Sequence, residues 1–146
     1  MMFTHADDEP VLILDEDQCW KLLGHSQHGR LATAFDGVPY ITPVNHGASN
    51  ERIYLRSAAG SKLSGLTVNP KVAFQSDGIL SDEAWSVIIQ GTARILETEA
   101  EIKTARASGV DPWVQTLKDF WIEITPTSIS GRHFILGEQP EQLDES

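Results

Sequence analysis

Short alternating runs of apolar and polar residues dominate the chain, with only brief stretches at helical spacing between them. Val11 to Leu14 is an apolar run of the kind that pairs at a sheet edge. Asp15, with Gln18 three residues on, forms a capping box. Cys19, Trp20, Leu22 and Leu23 give the helix that follows its apolar side, and Gly24 is its expected terminator. Arg30 to Phe35 predicts a strand, Asp36-Gly37 a hairpin turn, and Val38 to Asn45 the return strand. Pro39 and Pro43 cannot donate ladder hydrogen bonds, so the return strand is expected to be irregular or to lie at an edge.

Ala48 to Glu51 turns the chain into a further strand at Ile53 to Leu55. Lys62 to Val68 predicts about two helical turns, ended by Asn69-Pro70 because a residue before proline is pushed out of the helical region. Lys71 to Phe74 resumes as strand, Asp77 to Glu83 reads as a polar loop, and Trp85 to Leu96 is a long strand bent or bulged at Gly91. Thr98 and Glu101 mark a second helix start, running to about Ser108 before Gly109, Asp111 and Pro112 break it. Trp113 to Leu117 suits one helical turn, and Phe120 to Ser130 suits a last strand broken at Pro126. Six or seven strands, two or three short helices and no β-α-β alternation predict a mainly β, α+β fold, an antiparallel closed or nearly closed barrel. The 146 residues fit one domain, with residues 1–10 and 138–146 expected to be flexible arms.

Composition narrows the partners. The formal net charge is -10, and a surface this acidic repels nucleic acid and anionic membranes. Cys19 is the single cysteine, which excludes an intrachain disulfide and a cysteine metal cluster. No apolar run approaches a membrane span and no signal pattern opens the chain, so the expected location is the cytoplasm.

The most informative chemistry lies between Ile53 and Phe74. A strand, a small-residue turn at Ala58-Ala59-Gly60-Ser61 and a short helix leave backbone N–H groups unpaired beside a hydroxyl and the Lys62 ammonium. That combination suits a phosphate. The segment matches neither G-x-x-x-x-G-K-[ST] nor G-x-G-x-x-G, so it gives no support to a nucleoside triphosphate or dinucleotide fold. His25-x-x-His28 lacks a third ligand in view, which favours solvated histidines over a metal site. No G-x-S-x-G is present to support a serine nucleophile.

Five segments together resemble the pyridoxamine 5′-phosphate oxidase-like superfamily, the FMN-binding split barrels. They are Gly29-Arg30-Leu31-Ala32-Thr33, Pro39 to Asn45, the Arg56 to Lys62 turn, Val68 to Phe74, and Trp85 to Ala93. The resemblance implies that Thr42, Pro43, Val44 and Asn45 lie under the isoalloxazine ring. It implies that Arg56, Ser57, Ser61 and Lys62 hold the FMN phosphate, and that Trp85 and Ser86 reach the flavin, usually from a partner subunit. It also implies a homodimer with two flavins at the interface. Ser130-Gly131-Arg132 looks like the closing motif of many small members, in which the arginine approaches the flavin.

The departures are informative. Pyridoxamine 5′-phosphate oxidases carry an Arg…Lys pair where this chain has Thr42 and His46-Gly47, and an Arg-Lys doublet where it has Ser61-Lys62. Their C-terminal Arg-x-His motif is not matched by Gly131-Arg132-His133-Phe134. The sequence therefore looks closer to nitroimidazole-resistance-like and uncharacterised members than to a vitamin B6 oxidase. The implied activity is an FMN-dependent oxidoreductase acting on a small molecule, with His46 as candidate proton donor. The rivals are a deazaflavin-dependent reductase and a non-catalytic flavin or haem binder, with His46 or His133 as axial ligand.

Overall fold

A computed structural model of the chain describes residues 1–57, 61–110 and 120–137, leaving aside the side chains of Asp8 and of residues 61–63. Its elements are β1 (Val11–Leu14), α1 (Glu16–His25), β2 (His28–Phe35), β3 (Val38–Ser49), β4 (Arg52–Ser57), α2 (Ser61–Val68), β5 (Lys71–Ile79), β6 (Glu83–Ile95), α3 (Glu99–Ala107) and β7 (Phe120–Ile135). The strands hydrogen-bond in the order β1-β7-β4-β3-β2-β5-β6, and β6 pairs again with β7. Every pairing is antiparallel. This is the split-barrel fold.

Strand alternation fills the barrel. Leu31, Phe74, Val87, Ile89, Ile53, Leu55, Ile122 and Ile124 point inward and are buried. Cys19, Leu22 and Leu23 of α1 and Leu66 of α2 join the same core cluster. A smaller cluster of Tyr54, Leu96, Ala105 and Trp121 lies beneath α3 on the outside of β4 and β7. Gly47 lets the end of α3 approach, since a Cβ there would collide with Ser108.

Several local signals take the form the pattern predicts. The Asp15 side chain accepts from the Gln18 N–H while the Gln18 side chain accepts from the Asp15 N–H. Asp36 and Gly37 both have positive φ, 50° and 76°, as a tight hairpin turn requires. Pro39 and Pro43 lie where β3 pairs only with β2, because the ladder to β4 begins at His46. At Gly91 the register to β7 shifts and Thr127 is left out of the pairing. Inward side chains of β7 then switch from Ile122 and Ile124 to Gly131 and His133. Pro126 sits at that bulge, so the last strand continues through it to Ile135 instead of breaking.

Other expectations need correcting. Helix α1 runs past Gly24 to His25. The expected loop from Asp77 to Glu83 is mostly strand, since β5 extends to Ile79 and β6 begins at Glu83. The reason is that both carboxylates find partners: Asp77 with Arg30 and Gln75, Glu83 with His133 and the Met2 N–H. Residues 1–10 hold a 3₁₀ turn at Ala6–Asp8 and a buried His5, while most of their other described side chains are exposed. The turn expected at Trp113 to Leu117 and the tail from Glu138 lie outside the described residues.

Candidate functional site

The candidate phosphate end is built by β3, β4 and α2. Arg56 pairs across the ladder with Trp121, and its guanidinium carbon lies 5.8 Å from that ring's centroid. Arg106, in the last turn of α3, lies 5.9 Å from the same ring. Two cations on one aromatic ring make this a basic corner of an acidic protein. Asn45 stands one step before the β3–β4 ladder starts, and Ser57 ends β4 opposite Phe120. The backbone of Ser61 and Lys62 opens α2, the element that follows β4 in the chain, and its first N–H groups have no intrahelical acceptor. Their side chains lie outside the described residues.

A second cluster spans the outer face of β2, β5, β6 and β7. Arg30 Nη1 donates to Gln75 Oε1 at 2.9 Å and to Asp77 Oδ1 at 3.1 Å. Gln75 Nε2 donates to Asp77 Oδ2 at 3.0 Å and to Ser86 Oγ at 3.3 Å. Ser86 is paired with Asp77 on one side and Arg132 on the other. The Gln75 amide, and then the Arg30 guanidinium, hold the Asp77 carboxyl below the usual carboxylate range. The cluster was not foreseen from sequence, because its members are four isolated polar residues on strands up to 56 positions apart.

Further along this face lies a groove of about 570 Å³, lined among others by Ala32, Ala34, Ala73, Lys71, Gln90 and Thr92. Its size lies within the range of small-molecule pockets. Alanines at alternate strand positions keep its floor low.

Alternation also decides which predicted residues can touch a ligand on the outside. Pro43, Arg56, Ser86 and Arg132 sit on the outward phase, as does Asn45, which is nonetheless buried. Thr42 and Val44 fall on the inward phase of β3. Trp85 is buried in the main core, its indole over Gly78. His46 is also a core residue, 1% exposed, with its ring edge-on to Phe74. Its Nε2–H donates to the Leu23 carbonyl at 3.1 Å, and Ser26 Oγ lies 3.2 Å away. Its Nδ1 has no hydrogen-bond partner among the described residues. Burial holds its pKa below the ordinary histidine value. A proton donor to an outward ligand is therefore not what this position provides. As axial haem ligands both named histidines are poorly placed, since His133 is fully buried with both ring nitrogens engaged, by His5 and Glu83.

Cys19 is buried, and burial pushes its thiol up to about 11, as suits a packing residue. His25 Nδ1–H donates to the Lys21 carbonyl, ending α1. No helix among the described residues is long and apolar enough to cross a membrane.

Comparison with known proteins places this geometry. A candidate pyridoxamine 5′-phosphate oxidase from Corynebacterium glutamicum superposes with a TM-score of 0.81 at 34% identity, covering 91% of this chain and 100% of its own. An FAD-binding protein from Mycobacterium smegmatis gives 0.74 at 35% identity, covering 86% and 100%. An FAD-binding protein from Mesorhizobium loti gives 0.74 at 27%, covering 84% and 96%. The family model described as pyridoxamine 5′-phosphate oxidase matches residues 15–133. With most of its length inside that match and its barrel shared with those structures, the chain belongs to the pyridoxamine 5′-phosphate oxidase family.

Proposed function

We propose that the chain is a flavin-dependent oxidoreductase, working as a homodimer with FMN as cofactor on a small-molecule substrate. One observation carries this reading. Three of the outward candidate residues sit at opposite ends of β7: Arg56 lies opposite Trp121, and Ser86 opposite Arg132. Along an extended strand those ends are on the order of 30 Å apart. One chain cannot easily close both groups on one flavin, whereas a two-fold pair sets the basic corner of one copy against the Ser86–Arg132 face of the other. Exposed Ile41 and Ile88 beside the alanine-floored groove give that contact its apolar surface.

The named flavin binders among the similar structures support a flavin, and FAD contains the FMN unit. Arg56, Lys62 and the first N–H groups of α2 would hold its phosphate. Asn45 and Pro43 would lie under the ring, with Ser86 and Arg132 reaching it from the partner copy. When bound, the flavin supplies the hydride or electron chemistry, and the protein orients it and excludes water. Thr42, His46 and Ser61 stand where vitamin B6 oxidases carry cations, so pyridoxamine 5′-phosphate is not the proposed substrate.

The absorption spectrum of the purified protein is the test. Flavin bands that bleach on mixing with a nicotinamide cofactor and return in air support the reading. A Soret band, a deazaflavin spectrum or a flavin that never turns over contradicts it.

A further inference from the structure

We infer that Gln75 is a positioning residue that sets Ser86 as a hydrogen-bond donor toward an acceptor edge of the bound flavin, held in that role by Arg30 and Asp77. This rests on the flavin reading above. The orientation of a glutamine amide is normally ambiguous, but here both ends are determined chemically. Arg30 can only donate, so the atom 2.9 Å from its Nη1 is the Gln75 oxygen. The Asp77 carboxylate can only accept, so the atom 3.0 Å from its Oδ2 is the Gln75 nitrogen. That nitrogen's second hydrogen goes to Ser86 Oγ at 3.3 Å.

The consequence falls on Ser86. Its oxygen receives a hydrogen from Gln75, so its own hydroxyl hydrogen cannot return along that line. Among the described residues it donates to none. Ser86 is half-buried on the outward phase of β6, beside Arg132. A hydroxyl with one lone pair occupied and its hydrogen unspent favours an acceptor, such as a carbonyl oxygen or ring nitrogen of a planar heteroaromatic, over a donor. The Arg30–Asp77 contact at 3.1 Å closes a ring of bonds between β2 and β5, which limits how far the amide can swing.

The test is titration of the full-length chain with oxidised and with dithionite-reduced FMN, for wild type, Gln75→Leu, Ser86→Ala and the double variant. A lost neutral hydrogen bond of this kind corresponds to about a three- to ten-fold weaker affinity. Each single variant is expected to lose about that much for oxidised FMN and to shift the oxidised-to-reduced affinity ratio alike. The double variant is expected to be no weaker than Ser86→Ala. Gln75→Glu, which keeps the shape but accepts from Ser86, is expected to behave as Gln75→Leu does. Wild-type affinity in both Gln75 variants, or losses that simply add in the double, overturns the inference while leaving the flavin reading intact. Failure of the wild type to bind FMN overturns both.

Discussion

His5 Nε2 lies 2.6 Å from His133 Nδ1, joining the N-terminal arm to a residue 128 positions away. At the outer ends of this pair, His5 Nδ1 lies 2.6 Å from the Glu9 carbonyl and His133 Nε2 lies 2.9 Å from Glu83 Oε1. Both outer partners accept, so each ring donates outward from its outer nitrogen. The Met2 N–H, then His133, hold the Glu83 carboxyl below the usual range. Replacing His5 by alanine leaves a buried ring nitrogen of His133 without its partner. The expected cost is about 1–3 kcal/mol, with faster amide exchange at Val11–Leu14 than in β5. An unchanged melting temperature and unchanged exchange would contradict this.

His46 predicts a pH dependence. Its folded pKa lies below the ordinary value of 6.5 because burial disfavours the charged ring. Below that value the unfolded chain takes up a proton that the folded chain refuses, so stability falls as pH drops from 7 toward the folded pKa. The limiting slope is about 1.4 kcal/mol per pH unit. Thermal melts between pH 7 and 5.5 should show this decline, and His46→Gln should flatten it. A wild type as stable at pH 5.5 as at 7 would count against the buried neutral ring.

Gly91 marks the bulge of the long β6–β7 ladder, where an added Cβ would strike the Thr125 carbonyl. Gly91→Ala is expected to destabilise by about 1–3 kcal/mol through forced backbone shifts. Gly24, with open space around the missing Cβ, is the control: Gly24→Ala should be neutral or slightly stabilising, as alanine favours a helix. Equal melting temperatures for the two variants would argue against the bulge as a close contact.

Arg56→Ala and Lys62→Ala each remove one charge-assisted contact to the proposed phosphate. Each is expected to weaken FMN binding by about 1.5–3 kcal/mol, read by flavin fluorescence titration. The loss should shrink at high salt if charge is the cause. Wild-type affinity in both variants would remove the basic corner from the site.

The barrel was legible because its signals are local. Alternation places the strands, the Asp15–Gln18 pair opens a helix, and Asp36-Gly37 makes a turn. What stayed hidden is the facing of residues within those strands. Motif resemblance names Thr42 to Asn45 and Trp85-Ser86 as units, yet neighbours on a strand point oppositely, so Thr42, Val44, Trp85 and His46 belong to the interior phase. Gln75 was invisible for a different reason: a glutamine on a strand means little until Arg30, Asp77 and Ser86 are brought beside it by two ladders. The burial of His5 depended on His133, which no local pattern links to it.

Sedimentation velocity of the chain with FMN, followed at the flavin's visible band, tests the two-subunit flavin site most directly. The account predicts that the yellow signal sediments as a dimer carrying one flavin per chain. Colour left behind at the meniscus, or travelling with a monomer, would contradict it.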